Sequence, residues 1–355
     1  MENNQKLSYI HNLDGLRGIA SISVLIFHFF HDKKLTSDIQ NILFAQKLTE
    51  ILQHGVTLFF VLSGFVITRI LFNNKQDSNY FLSFYKKRTL RIFPLYYLYL
   101  IVHYYIYPYI IGIGPNLEFE KQIPVYLYLQ NLDWLTGFNS SGPGQFWSLA
   151  VEEHFYLIWP LVIFLIPNKS FRLVTLVLIF ISIPLKIFFL ENGIDINYNT
   201  FSRYDSILVG CFIAIIEKEN NFKLPRLTNN LTIYTLISLI ITGLIIYIFQ
   251  ERIFFFKSIF KHMILSSFFG IVIYYLITTS SHSNLTNSFL NSKIVQYLGK
   301  ISYGLYVWHM LAIAICGFLN INIYYVNLLF VIMITILLSH LSYFYYERIF
   351  LKLKK

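Results

Sequence analysis

The sequence predicts an all-α fold, a polytopic transmembrane helical bundle of about ten spans with no soluble domain. Two observations carry this. Of the 355 residues, 56% are hydrophobic and only 13% are charged, against about 25% charged in soluble domains. The apolar residues fall in blocks of ~20, the length that crosses a bilayer as a helix, and not in the alternating ~10-residue segments of a membrane barrel. One transmembrane domain is expected over 1–355, with its core at about 9–350.

The first apolar block, 13–31, follows twelve mostly polar residues and has no small-residue cleavage site after it. It is read as a retained span rather than a signal peptide. Further spans are expected near 52–72, 89–112, 147–166, 171–190, 201–217, 231–250, 261–280, 298–319 and 323–345. The fourth and fifth are separated only by Pro167-Asn168-Lys169-Ser170, the signature of a tight helical hairpin. The longest loop runs from Gly112 to Gln145 and is rich in Gly, Pro, Asn and Ser.

A net charge of +10 would by itself suit nucleic acid or anionic lipid. The Lys and Arg residues are read instead as loop charges that set topology, so a bilayer and no nucleic acid is expected. With the N-terminus inside, nineteen of the 28 fall on the inner side, dominated by Lys86 to Arg91. Nine fall outside, among them Lys186 and Arg203. This places both termini in the cytoplasm. Cys211 and Cys316 lie in apolar runs without metal-ligand neighbours, so neither a disulfide framework nor a metal site is expected.

Five segments carry chemistry. Arg17 and His28 are eleven residues apart. That is close to three turns, so they share a face with roughly 16 Å between their heights. Charged and titratable groups inside a span mark function, although a snorkelling arginine and a structural histidine would fit the same spacing. Arg88 and Arg91 share a helix face one turn before Pro94. Two guanidinium groups there suit a polyphosphate such as the nucleotide end of coenzyme A. The third segment runs from Gly144 to Pro160 and holds Trp147, Ser148, Glu152, Glu153 and His154. Adjacent carboxylates point to different helix faces, and Ser148 shares one with Glu152. Arg203 and Asp205 open the sixth span, where they could pair with each other or with groups on other helices. Ser302, Tyr303, Tyr306 and His309 lie on the ninth span, with His309 near mid-membrane. Two intramembrane histidines with tyrosines nearby could activate a hydroxyl.

Together these segments resemble the membrane-bound acyltransferase-3 family, which O-acylates surface sugars. The family's Arg-x10-His pattern is matched by Arg17 and His28, and its Phe-Phe-x-Leu-Ser-Gly-Phe pattern by Phe59 to Phe65. Its Arg-x2-Arg pattern is matched by Arg88 and Arg91, and its Phe-Trp-Ser-Leu-x-x-Glu-x-x-Phe-Tyr pattern by Phe146 to Tyr156 with the Glu at Glu152. Arg-x-Asp and Ser-Tyr-x-x-Tyr-x-x-His are matched by Arg203/Asp205 and by Ser302 to His309. Two departures stand out. His154 occupies a position that is commonly Gln, and no Pro follows soon after Glu347. Some relatives carry a C-terminal SGNH esterase-like domain; with the sequence ending at Lys355, none is expected.

The resemblance implies an integral O-acyltransferase of the bacterial inner membrane, working in polysaccharide biosynthesis. It would move an acyl group, expected to be acetyl, from cytoplasmic acetyl-CoA or another acyl-CoA. The acceptor would be a hydroxyl of a surface polysaccharide, lipid-linked sugar or other glycosylated molecule. Arg17, Arg88 and Arg91 would bind the nucleotide phosphates. His28 would be the general base, or would carry the acyl group transiently. Glu152 and His309 are the other catalytic candidates, and Trp147, Glu153, Arg203, Asp205 and Tyr306 are candidates for substrate binding. A glycan transporter or flippase subunit is the alternative, but matching repeats or broken helix pairs are not evident. A serine hydrolase built on Ser63 lacks the first glycine and strand context of a nucleophile elbow.

Overall fold

A computed structural model describes residues 9–32, 42–114, 118–219, 254–279, 284–319 and 324–354. Among them there is no strand. The long helices are α1 (His11–His31), α2 (Gly55–Asn74), α3 (Tyr80–Ile101), α4 (Trp147–Leu165), α5 (Phe171–Glu191), α6 (Thr200–Glu219), α7 (Phe254–Thr278), α8 (Ser302–Leu319) and α9 (Tyr324–Leu341). Seven helical stretches among the described residues are long and apolar enough to cross a membrane. Two further expected spans correspond to α3 and α6, which carry too many charges to qualify by composition. The span expected at 231–250 lies outside the described residues. Leu157, Leu165, Leu173 and Phe180 are exposed on α4 and α5, as the face of a helix that meets lipid must be. The protein is therefore a multi-pass, all-α membrane protein.

The chain divides into two units. The first comprises Met1–Leu13, Thr57–Gln76 and Val151–Asn291. Its tightest crossing joins α2 to α6. A Cβ added at Gly64 would stand 1.9 Å from the Ile207 carbonyl oxygen, and one at Gly210 would stand 1.9 Å from that of Val61. Without a hydrophobic driving force in lipid, such small-residue contacts are what let two backbones close together. Lys186 on α5 is fully buried and bonds both the Asp205 carboxylate on α6 and the Ile259 carbonyl on α7. Lys186 and Arg203 are therefore not loop charges. Both are buried cations with partners on other helices, so neither reports topology.

The second unit comprises Asp14–Val56, Asp77–Ala150 and Ser292–Lys355. Here α1 and α8 run parallel at a constant offset. Gly18 packs on Gly299, the Ser21 hydroxyl donates to the Ser302 carbonyl at 3.1 Å, and His28 meets His309. α3 runs the same way. The Tyr303 hydroxyl donates to the Ile92 carbonyl, the Tyr99 ring meets Trp308, and the Tyr107 hydroxyl donates to the Ala314 carbonyl. α9 returns antiparallel, with Gly304 against Ser339 and Cys316 in one buried cluster with Leu25, Phe29, Ala312, Ile313 and Val331. Pro94 removes one backbone donor, yet α3 continues through it and extends as a π-turn over Val102–Ile106. The expected long loop contains a short helix, Phe119–Tyr126. It is bound to α3 by the Tyr96 and Tyr97 hydroxyls, which donate to the Val125 and Tyr126 carbonyls.

Candidate active site

Parallel packing of α1 on α8 brings together two histidines that are 281 residues apart in sequence. His28 Nδ1 lies 3.1 Å from His309 Nε2. The surrounding acceptors assign the tautomers. His309 Nδ1 sits 2.7 Å from the Tyr306 carbonyl oxygen, so it must carry the proton and donate. The Nε2 of neutral His309 is then an acceptor. His28 Nδ1 faces that acceptor and, at 3.0 Å, the Val24 carbonyl, so it too carries a proton. Neutral His28 is left with its lone pair on Nε2, the form of a general base. His309 is 1% exposed and His28 is half-buried.

Beside the dyad, the Tyr306 hydroxyl donates to the Gln145 carbonyl at 2.7 Å and is bonded to the Ser148 hydroxyl. Gln145 is itself buried, and its amide Nε2 donates to the Tyr99 hydroxyl and to the Val307 carbonyl. Trp147, at the start of α4, is half-buried.

The end of this unit where α3 and α8 begin is basic. Arg17 is held by Asp14 at 2.7 Å. Arg88 lies over the Phe84 ring, and Arg91 over the Tyr303 ring. Glu347 is almost wholly buried, accepts from the Ser342 hydroxyl, and stands 3.9 Å from Arg91. Lys354, past the end of the last helix, joins the same cluster. Burial, then Arg91, Arg88 and Lys87, push its ammonium down to about 8, with Glu347 opposing the shift. The dyad lies seven residues further along α1 and α8 than the Ser21–Ser302 contact, roughly 10 Å at the helical rise.

The remaining candidates lie in the first unit. Glu152 accepts from the Ser63 hydroxyl at 2.7 Å and from Tyr156 at 3.0 Å. Glu153 is half-buried, and His154 bonds the Thr200 hydroxyl at 2.8 Å. Arg203 donates to the Thr57 hydroxyl and lies over the Phe60 ring. Asp205 binds Lys186 and accepts from the Ser206 backbone N–H. Of the alternatives open for Arg203 and Asp205, the structure shows partners on other helices.

Sequence patterning does not single out Lys186, Gln145, Glu347 or Lys354. The available signals are a lone lysine inside an apolar run, a glutamine two residues before Trp147, and a glutamate just past the last apolar block.

No solved structure matches the chain. It is 28% identical to an O-acetyltransferase OatA of Staphylococcus aureus, over 96% of this chain and 57% of that protein. It is 27% identical to the putative peptidoglycan O-acetyltransferase YrhL of Bacillus subtilis, over 96% of this chain and 54% of that one. It is 26% identical to the peptidoglycan O-acetyltransferase OatA of Listeria monocytogenes, over 85% and 49% respectively. The chain thus spans about half the length of these relatives. The family model described as an acyltransferase domain matches residues 10–346, and on that match the chain belongs to the acyltransferase-3 family.

Proposed function

We propose that the protein transfers an acetyl group from acetyl-CoA, held at the basic end of the second unit, to a hydroxyl of a cell-wall or other surface glycan. The observation that carries the reading is the His28–His309 pair, which leaves His28 Nε2 free of its proton. The acceptor hydroxyl attacks the thioester carbonyl carbon while its proton passes to His28 Nε2. The imidazolium formed still donates from Nδ1 to neutral His309, which stabilises the charge. The tetrahedral intermediate then expels the CoA sulfur, and the proton on Nε2 goes to the thiolate. An ester and free CoA result. A direct transfer needs no acyl-histidine.

Arg88, Arg91 and Lys354 supply positive charge for the phosphates of the nucleotide, and Arg17 lies at the same end. The chemistry of the donor puts this end in the cytoplasm and the acceptor on the other side of a bacterial inner membrane. Glu152 accepts hydrogen bonds from two hydroxyls, which makes it a positioning group within the first unit. The relatives named peptidoglycan O-acetyltransferases support a glycan acceptor.

The test is transfer of radiolabelled acetyl from acetyl-CoA to muropeptides or chito-oligosaccharides by the purified protein in nanodiscs. His28→Gln keeps a polar side chain but cannot take the proton, and a positioned base contributes ~10²–10⁴-fold. Near wild-type transfer by this variant would refute the mechanism.

A further inference from the structure

Next to the dyad, three polar valences in the second unit have no protein partner among the described residues. The indole Nε1–H of Trp308 and the amide Oε1 of Gln145 are both buried without a hydrogen bond. Trp308 is 5% exposed and Gln145 3%. The third is the Tyr99 hydroxyl. It accepts from Gln145 Nε2 at 3.2 Å, so its own proton points elsewhere, and no described group receives it.

The amide cannot be turned over to satisfy the set. The Val307 carbonyl stands 3.3 Å from Nε2, and placing Oε1 there would set two acceptors against each other. Both protons of the amide are therefore used, and its oxygen is left over. These side chains touch. Gln145 bonds Tyr99, the Tyr99 and Trp308 rings are 5.4 Å apart, and His103 stacks on Tyr99 at 5.9 Å.

Native proteins pair nearly all buried polar groups, so an unpaired cluster marks a place where something else completes the bonds. Two donors and one acceptor, with no charge among them, do not suit a phosphate. They suit a group that both gives and takes a hydrogen bond, on a ligand with an apolar face for the aromatic rings. Tyr99 is eight residues past Arg91 along α3, roughly 12 Å from the basic end, and Gln145 closes the loop that packs on α3. This is the part of the unit away from the nucleotide phosphates.

We propose that Trp308, Gln145 and Tyr99 form an acceptor subsite that binds a hydroxyl or acetamido group of the sugar ring. The subsite rests on the acetyl-transfer reading above, and it adds which residues hold the glycan. Trp308 Nε1–H and the Tyr99 hydroxyl donate to the sugar oxygen. Gln145 Oε1 accepts from its O–H or N–H. The Tyr306–Gln145 bond ties the subsite to the turn of α8 that carries His309.

The test uses the full chain in nanodiscs, radiolabelled acetyl-CoA, and a β-1,4-linked N-acetylglucosamine tetramer as acceptor. Tyr99→Phe keeps the ring and removes the donor together with the acceptor of the Gln145 amide; Trp308→Phe removes the indole donor and keeps a smaller aromatic ring. Each is expected to raise the KM for the tetramer about three- to tenfold, the worth of one neutral hydrogen bond. kcat and the KM for acetyl-CoA should stay within about twofold, a split that loss of folding would not produce. Unchanged tetramer KM in both variants, with the wild type active, would overturn the subsite alone. A raised acetyl-CoA KM with unchanged tetramer KM would also overturn it, and would assign the groups to an amide of the donor's pantetheine arm. A wild type that acetylates no glycan would overturn the acetyltransferase reading and the subsite with it.

Discussion

The polar groups around Lys186 and Glu152 in the first unit are paired differently from those around the dyad in the second. In the first, the named groups bond to one another: Lys186 to Asp205, Ser63 to Glu152 and the Trp159 indole to the Thr68 hydroxyl at 2.8 Å across helices, and Tyr156 to Glu152 within α4. In the second, the dyad keeps the lone pair of His28 Nε2 unused, and Trp308 and Gln145 hold buried groups without a protein partner. A hydrogen bond made inside an apolar environment stabilises packing, while one left unmade costs stability unless a ligand completes it. The first pattern suits scaffolding and the second suits binding and catalysis.

The largest effect that could break this contrast lies in the first unit. Lys186→Met strands the Asp205 carboxylate in the interior and should destabilise by ~3–5 kcal/mol, because an uncompensated buried charge remains. Lys186→Met with Asp205→Leu should recover most of that, since replacing a whole buried pair by apolar residues is often neutral. Thermal unfolding in detergent reads both. A single variant as stable as the wild type would remove the scaffold reading of the pair.

In the second unit, His309→Phe takes away the acceptor that orients His28. Transfer should fall ~10²-fold in kcat with little change in the KM for acetyl-CoA, since a misplaced tautomer wastes the base. Normal unfolding alongside that loss would separate chemistry from structure. Arg91→Ala should come next. Loss of a charge-assisted phosphate contact of ~1.5–3 kcal/mol raises the KM for acetyl-CoA about tenfold or more. Arg91→Lys should recover only part of it, without the bidentate fork. An unchanged KM would show that the basic end does not hold the donor.

The smallest effect is a pH dependence. Lys354 has its ammonium pushed down to about 8, so its charge is present below that pH and is lost as pH rises through it. Affinity for acetyl-CoA should weaken about two- to fivefold between pH 7 and 9, the worth of one half-exposed ion pair. Lys354→Met should flatten that slope and leave the weaker affinity at both ends. Arg88, Arg91, Lys87 and Glu347 surround the group.

The apolar run lengths alone determined that the chain is helical and crosses a membrane many times, because an unbroken run of ~20 apolar residues has no other way to satisfy its backbone in lipid. Helical periodicity likewise determined that Arg17 and His28 share a face, since that depends only on residues of one segment. Only the tertiary structure decided which histidine His28 would meet, because the 281-residue separation leaves no local trace and the contact comes from the register of α1 on α8. The same holds for Lys186. In one dimension it is a cation near a span end, and the packing of α5 on α6 makes it the partner of Asp205. Tautomers, orphaned donors and the pull of the basic cluster on Lys354 depend on distances of a few ångströms between distant segments, and those distances exist only once the helices have packed.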